Sequence, residues 1–115
     1  MQRMDALPPL IAGKLPEVRA LCEKYHVKRL GVFGSVAKGT FDPERSDIDF
    51  VVEFDEDPTN TRYGWGGRLL AILSDLENVF GRKVDVVERR AIENPYFHQV
   101  LALTERPVYE RTRAA

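Results

Sequence analysis

The sequence predicts an α+β domain in which a small mixed β-sheet carries its helices packed on one face. Three observations lead there. Short apolar runs compatible with strands recur at 29–33, 46–54 and 83–88, and apolar stripes at helical spacing lie between and around them. The 115 residues, 43% hydrophobic and 30% charged, have the length and composition of one folded unit spanning 1–115. A sheet of so few strands cannot enclose a core alone and must lean on helices.

The elements follow in order. Leu7-Pro-Pro-Leu10 and Gly13 predict an irregular start. Pro16 suits a first helical turn, and Leu15, Val18, Leu21, Cys22 and Tyr25 form one helical face. Arg29–Phe33 reads as a strand closed by Gly34-Ser35, with a short helical turn after it that ends at Gly39. Asp42-Pro43 marks a turn, and Ser46–Phe54 is a second strand with Ile48, Phe50 and Val52 on one face. Thr59–Gly67, with three glycines and Trp65, reads as a loop. Leu69, Ile72, Leu73, Leu76, Val79 and Phe80 make a helical stripe that Gly81 caps. Lys83–Glu88 is a third strand, Asn94-Pro95 opens a helix to about Thr104, and Pro107–Tyr109 is a short edge strand.

Composition excludes several function classes. Seventeen basic and eighteen acidic side chains leave a net charge of −1, without the basic excess of a general nucleic-acid binder. A single cysteine, Cys22, rules out an internal disulfide and a multi-cysteine zinc site. No apolar run can span a bilayer, and the first residues lack a secretory pattern. A soluble, cytoplasmic protein is expected.

The chemistry concentrates in Ser46-Asp47-Ile48-Asp49-Phe50. Strand period puts Asp47 and Asp49 on one face, roughly 7 Å apart, while Ile48 and Phe50 turn to the core. Adjacent carboxylates repel, and a hard divalent cation such as magnesium removes the repulsion. Two solvated surface aspartates are the plainer reading of the pair alone. Upstream, Gly34-Ser35 ends a strand where free backbone N–H groups can meet phosphates. Asp85 interrupts an apolar strand, a costly place for a charge that has no task. With that strand beside the second, three carboxylates converge, the minimum set for two-metal phosphoryl transfer.

Gly34-Ser35, eleven residues, Asp47-Ile48-Asp49 and then Asp85 together resemble the signature of the polymerase β-like nucleotidyltransferases. The short chain, with Gly81-Arg-Lys-Val-Asp-Val-Val87 and Asn94-Pro95-Tyr96, resembles the minimal nucleotidyltransferases, antitoxin partners of HEPN toxins. The resemblance covers about residues 17–109. It implies that Gly34 and Ser35 hold nucleotide phosphates and that Asp47, Asp49 and Asp85 ligate magnesium, with Asp85 the candidate base. Val36 stands where many members carry a basic residue, which leaves Lys38 as the cation for the phosphates. The implied reaction moves AMP from ATP to an acceptor hydroxyl, a tyrosine of a cognate HEPN toxin. A small-molecule or RNA-end acceptor and a non-catalytic antitoxin that neutralises by binding are the rival readings. Homo-oligomer formation stays open.

His26, His98 and Cys22 carry little weight as chemical groups, and Trp65 is a candidate base-stacking or partner-contacting residue. Arg82-Lys83, Arg89-Arg90 and the acidic run Glu53–Asp57 read as solvated charge.

Overall fold

A computed structural model describes residues 7–34, 47–55 and 64–111, with the backbone alone for 64–66. Within it the order is α1 (Pro9–Ala12), α2 (Leu15–Lys24), β1 (Val27–Phe33), β2 (Ile48–Phe54), α3 (Gly64–Phe80), β3 (Val84–Glu88), a 3-10 turn (Arg89–Ala91), α4 (Pro95–Thr104) and β4 (Arg106–Glu110). The sheet runs β3-β2-β1-β4. β1 is antiparallel to β2 and β4, whereas β2 and β3 are parallel and joined through α3. The expected α+β class and mixed sheet are what the structure shows. No described helix is long and apolar enough to cross a membrane.

One face of the sheet makes the core. Leu30 and Val32 of β1 stand opposite Val52 and Phe50 of β2, and Phe50 lies opposite Val86 of β3. Ile11, Val18, Cys22, Tyr25, Ile72, Leu76 and Phe80 cover them. Burying a side chain such as Phe50 contributes about 1.5–3 kcal/mol. The four-residue spacing of Ile72, Leu76 and Phe80 explains why α3 lies along this face. Gly81, at φ 64°, then ends α3 with its N–H on the Glu77 carbonyl at 2.8 Å.

Three expectations are corrected. The irregular start contains a helical turn, because Ile11 sinks fully into the core and Pro9 tolerates the first helical position. The end of the expected loop, 64–67, belongs to α3 despite its glycines. Arg68 holds that helix start: its Nη1 donates to the Tyr25 carbonyl at 3.2 Å and the Asp55 carbonyl at 3.1 Å, over the Phe54 ring. These ties outweigh a propensity cost of about 1 kcal/mol per glycine. Residues 59–63, like the expected short turn of 35–39, lie outside the described residues.

The third correction concerns α4. Packing to one face holds for α2 and α3, but Phe97 of α4 meets Phe33 edge-on, centroids 5.7 Å apart, on the opposite face. Phe33 stands beside Asp49 across the β1–β2 ladder, so this is the acidic face. Just past α4, the Glu105 carboxyl carbon lies 2.7 Å from where a Gly31 Cβ would be, so a side chain there would have to displace the Glu105 carboxylate. Asn94 caps α4 as expected, accepting from the Tyr96 N–H at 2.9 Å. None of the ten residues of α4 is charged, and Tyr96 and Leu103, seven positions apart and so on one face of the helix, are largely exposed.

Candidate active site

The acidic site forms where β2 and β3 begin and β1 ends. Parallel pairing sets Asp49 opposite Asp85 and Ile48 opposite Val84. Residues two positions earlier, Asp47 and Lys83, therefore share the same face, and Lys83 Nζ lies 4.0 Å from Asp47 Oδ2. Asp49 is half-buried and Asp85 exposed, so the pair opens to solvent at the strand edge. The Asp49 carboxyl is held above its ordinary 3.8, first by burial, then by the Asp85 and Asp47 charges and a hydrogen bond with Asp85.

On the other side of Asp49, Gly34 takes φ 71°. A Cβ at Gly34 would collide with Asp49 Oδ2 and stand 3.4 Å from its Cγ. The left-handed backbone favours glycine there, and any Cβ would also have to displace the Asp49 carboxylate. Gly34, just past the end of β1, Asp49 on β2 and Asp85 on β3 thus lie side by side: open backbone, half-buried acid, exposed acid.

The structure brings Asp49 and Asp85 together and sets Asp47 beside them, but it does not gather the three. Among the described residues no three His, Cys, Asp or Glu side chains already form a group that could hold a metal ion. Asp47 faces Lys83 instead, since an ammonium group relieves its repulsion from the other acids. Ser35 and Lys38, expected at the phosphates, lie outside the described residues, and the side chain of Trp65 is not described.

Several of the described charges read as solvated have structural partners. Arg89 Nη2 binds Glu105 at 2.6 Å, and its Nε lies 3.7 Å from Glu53. Arg90 donates to the Phe54 carbonyl at 2.8 Å. Glu88, buried on the core face, accepts from the Phe54 N–H at 3.1 Å and the Arg90 N–H at 2.6 Å. Sequence reasoning passed over Glu88, although period two from Val84 and Val86 puts it on the apolar face. Cys22 is core, its thiol pushed up to about 12 by burial, and His98 Nε2 lies 2.8 Å from the Ile92 carbonyl.

A family model described as the nucleotidyltransferase domain matches residues 18–109. The chain belongs to the nucleotidyltransferase domain family. The enzyme class expected from the motif, a nucleotidyltransferase, follows from that membership. It is 41% identical over 80 residues to a candidate protein adenylyltransferase of Methanocaldococcus jannaschii, covering 68% of this chain and 73% of that one. The protein adenylyltransferase MntA of Thermococcus cleftensis is 27% identical over 101 residues, 88% of this chain and 92% of that one. A solved structure of a candidate minimal nucleotidyltransferase is similar at TM-score 0.61 and 32% identity, over 78% of this chain and 85% of that one. A chain of a toxin–antitoxin structure with AMP-PNP gives TM-score 0.63 at 19% identity, over 84% and 73%. One from a complex of a tri-AMPylated Shewanella oneidensis HEPN toxin with an MNT antitoxin gives 0.59 at 14%, over 88% and 73%. At such identities the last two speak for the fold alone. The resemblance to minimal nucleotidyltransferases read from the motif is borne out.

Proposed function

We propose that this nucleotidyltransferase transfers AMP from ATP to a tyrosine hydroxyl of a HEPN toxin in the cytoplasm and so acts as its antitoxin. The observation that carries the reading is the Asp49–Asp85 pair seated against the Gly34 backbone. The adenylyltransferase names of the relatives, and the AMP-PNP and AMPylated toxin named with the structural neighbours, support the nucleotide and the acceptor.

In this reading the backbone N–H groups of Gly34 and Ser35 receive the triphosphate, with Lys38 as a further cation. The acceptor hydroxyl oxygen attacks the α-phosphorus, the bond to the β-phosphate oxygen breaks, and pyrophosphate leaves with the electron pair. The hydroxyl proton passes to Asp85, whose exposure at the strand edge lets an acceptor on another protein reach it. Asp49 and Asp85, joined by Asp47 once it leaves Lys83, have the hard-oxygen donor set for magnesium. Magnesium, when bound there, would neutralise the triphosphate and polarise the α-phosphoryl group. The uncharged α4, with Tyr96 and Leu103 exposed next to this face, suits a protein acceptor that docks beside the acids.

The test is transfer of label from α-labelled ATP to a co-expressed HEPN protein, with and without magnesium. Magnesium-dependent label on a toxin tyrosine is expected. Toxin neutralised without any label would establish the binding-only antitoxin in its place.

A further inference from the structure

The pairing of β2 with β3 makes a two-by-two block on one face: Asp47 beside Lys83, and Asp49 beside Asp85. We propose that Lys83 is a triphosphate-binding residue, released from Asp47 when nucleotide arrives and closing on the phosphates from the β3 side. The inference rests on the nucleotidyltransferase reading of this site and adds a substrate contact on the strand opposite Gly34.

Three features of the structure carry it. First, Lys83 lies at the end of the sheet where β1 delivers Gly34 and β2 delivers Asp47, so its position is within the phosphate site rather than at a remote edge. Gly34 and Lys83 flank β2, two strand spacings of about 4.8 Å apart, a span a triphosphate and a flexible four-carbon stem cover together. Second, the hold on Lys83 is weak. Its Nζ reaches Asp47 only at 4.0 Å, and the two side chains are 71% and 37% exposed. Such exposed pairs contribute little to stability, so a multiply charged phosphate chain outcompetes a single carboxylate for the ammonium group. Third, the block without Lys83 is three carboxylates, a field that repels a triphosphate. The lysine lowers that repulsion before the substrate binds and contacts it afterwards.

Calorimetric titration of the wild type, Lys83→Gln and Lys83→Arg with ATP and with AMP, both in magnesium and without acceptor, tests this directly. Lys83→Gln is expected to weaken ATP binding about tenfold or more while AMP binding stays within about twofold, because the lost charged hydrogen bonds go to the outer phosphates. Lys83→Arg is expected to retain most of the ATP affinity. Unchanged ATP affinity in Lys83→Gln overturns the proposal, and so does an equal loss for ATP and AMP, which marks Lys83 as a mere counter-charge to Asp47. A wild type that binds no ATP overturns the nucleotidyltransferase reading of the site itself.

Discussion

Replacing Gly34 by alanine separates backbone strain from damage to the site, because Gly81 supplies a matched control. Both glycines sit at positive φ, 71° and 64°. An L-residue in that region costs about 1–2 kcal/mol. At about 4–8 °C per kcal/mol for a domain near this size, each variant is expected to melt about 4–16 °C below wild type. Their surroundings differ. A Cβ at Gly81 meets nothing within 4 Å, whereas one at Gly34 runs into Asp49 Oδ2. To relieve the overlap, Asp49 must rotate away from its place opposite Asp85, or β1 must draw back from β2. Either movement breaks the row of open backbone and two acids. Melting curves with transfer and ATP-binding assays at a temperature where all three proteins are folded decide the matter. Gly81→Ala is expected to keep near-wild-type transfer, and Gly34→Ala to lose at least about a hundredfold, as when a reacting geometry shifts by an ångström. Equal transfer by the two variants would refute the reasoning, since the Gly34–Asp49 contact would then have no bearing on the chemistry.

Asp49→Asn should abolish transfer yet leave the melting temperature at pH 7 level or higher. The folded state holds the Asp49 proton more tightly than the unfolded chain, so its stabilising share is full below the ordinary value of 3.8 and fades as pH rises through the folded value. Melting scans across that window should show a decline in the wild type that is reduced in the variant; an unchanged slope counts against a raised Asp49. Magnesium and ATP together should raise the melting temperature by more than the sum of their separate shifts, and strict additivity would argue against a shared site. Glu88→Ala leaves the Phe54 N–H without its buried acceptor and should cost about 1–3 kcal/mol by denaturant titration, with transfer by the folded fraction intact. Leu103→Glu, on the uncharged α4, should reduce labelling of the toxin several-fold while ATP binding is unaffected; undiminished labelling would exclude this surface from the toxin contact.

Much of the fold was legible because its signals are local. Period two turned Ile48 and Phe50 inward and Asp47 and Asp49 outward, and the structure keeps that division. The stripe from Leu69 to Phe80, the Gly81 cap and the Asn94 cap likewise depend on neighbours within one or two turns. Less legible were the helical residues 64–67, since glycine propensity opposes them and the contacts that anchor Arg68 beside them, the carbonyls of Tyr25 and Asp55, are distant in sequence.

For the site, the sequence by itself determined which groups are present and which side of each strand they occupy. Only the tertiary structure decided who faces whom. Asp85 lies thirty-six positions beyond Asp49, and its place opposite that residue depends on the parallel register set by the α3 crossover. A shift of one residue would have turned it into the core. The same register brings Lys83 to Asp47, a contact no spacing announces. Placing α4 over the acidic face needed Phe97 to find Phe33, and burying Glu88 needed the free N–H of Phe54 at the end of β2. Periodicity is a property of the chain, whereas register and facing come from contacts between segments far apart in it, which is why the acids could be read and their partners could not.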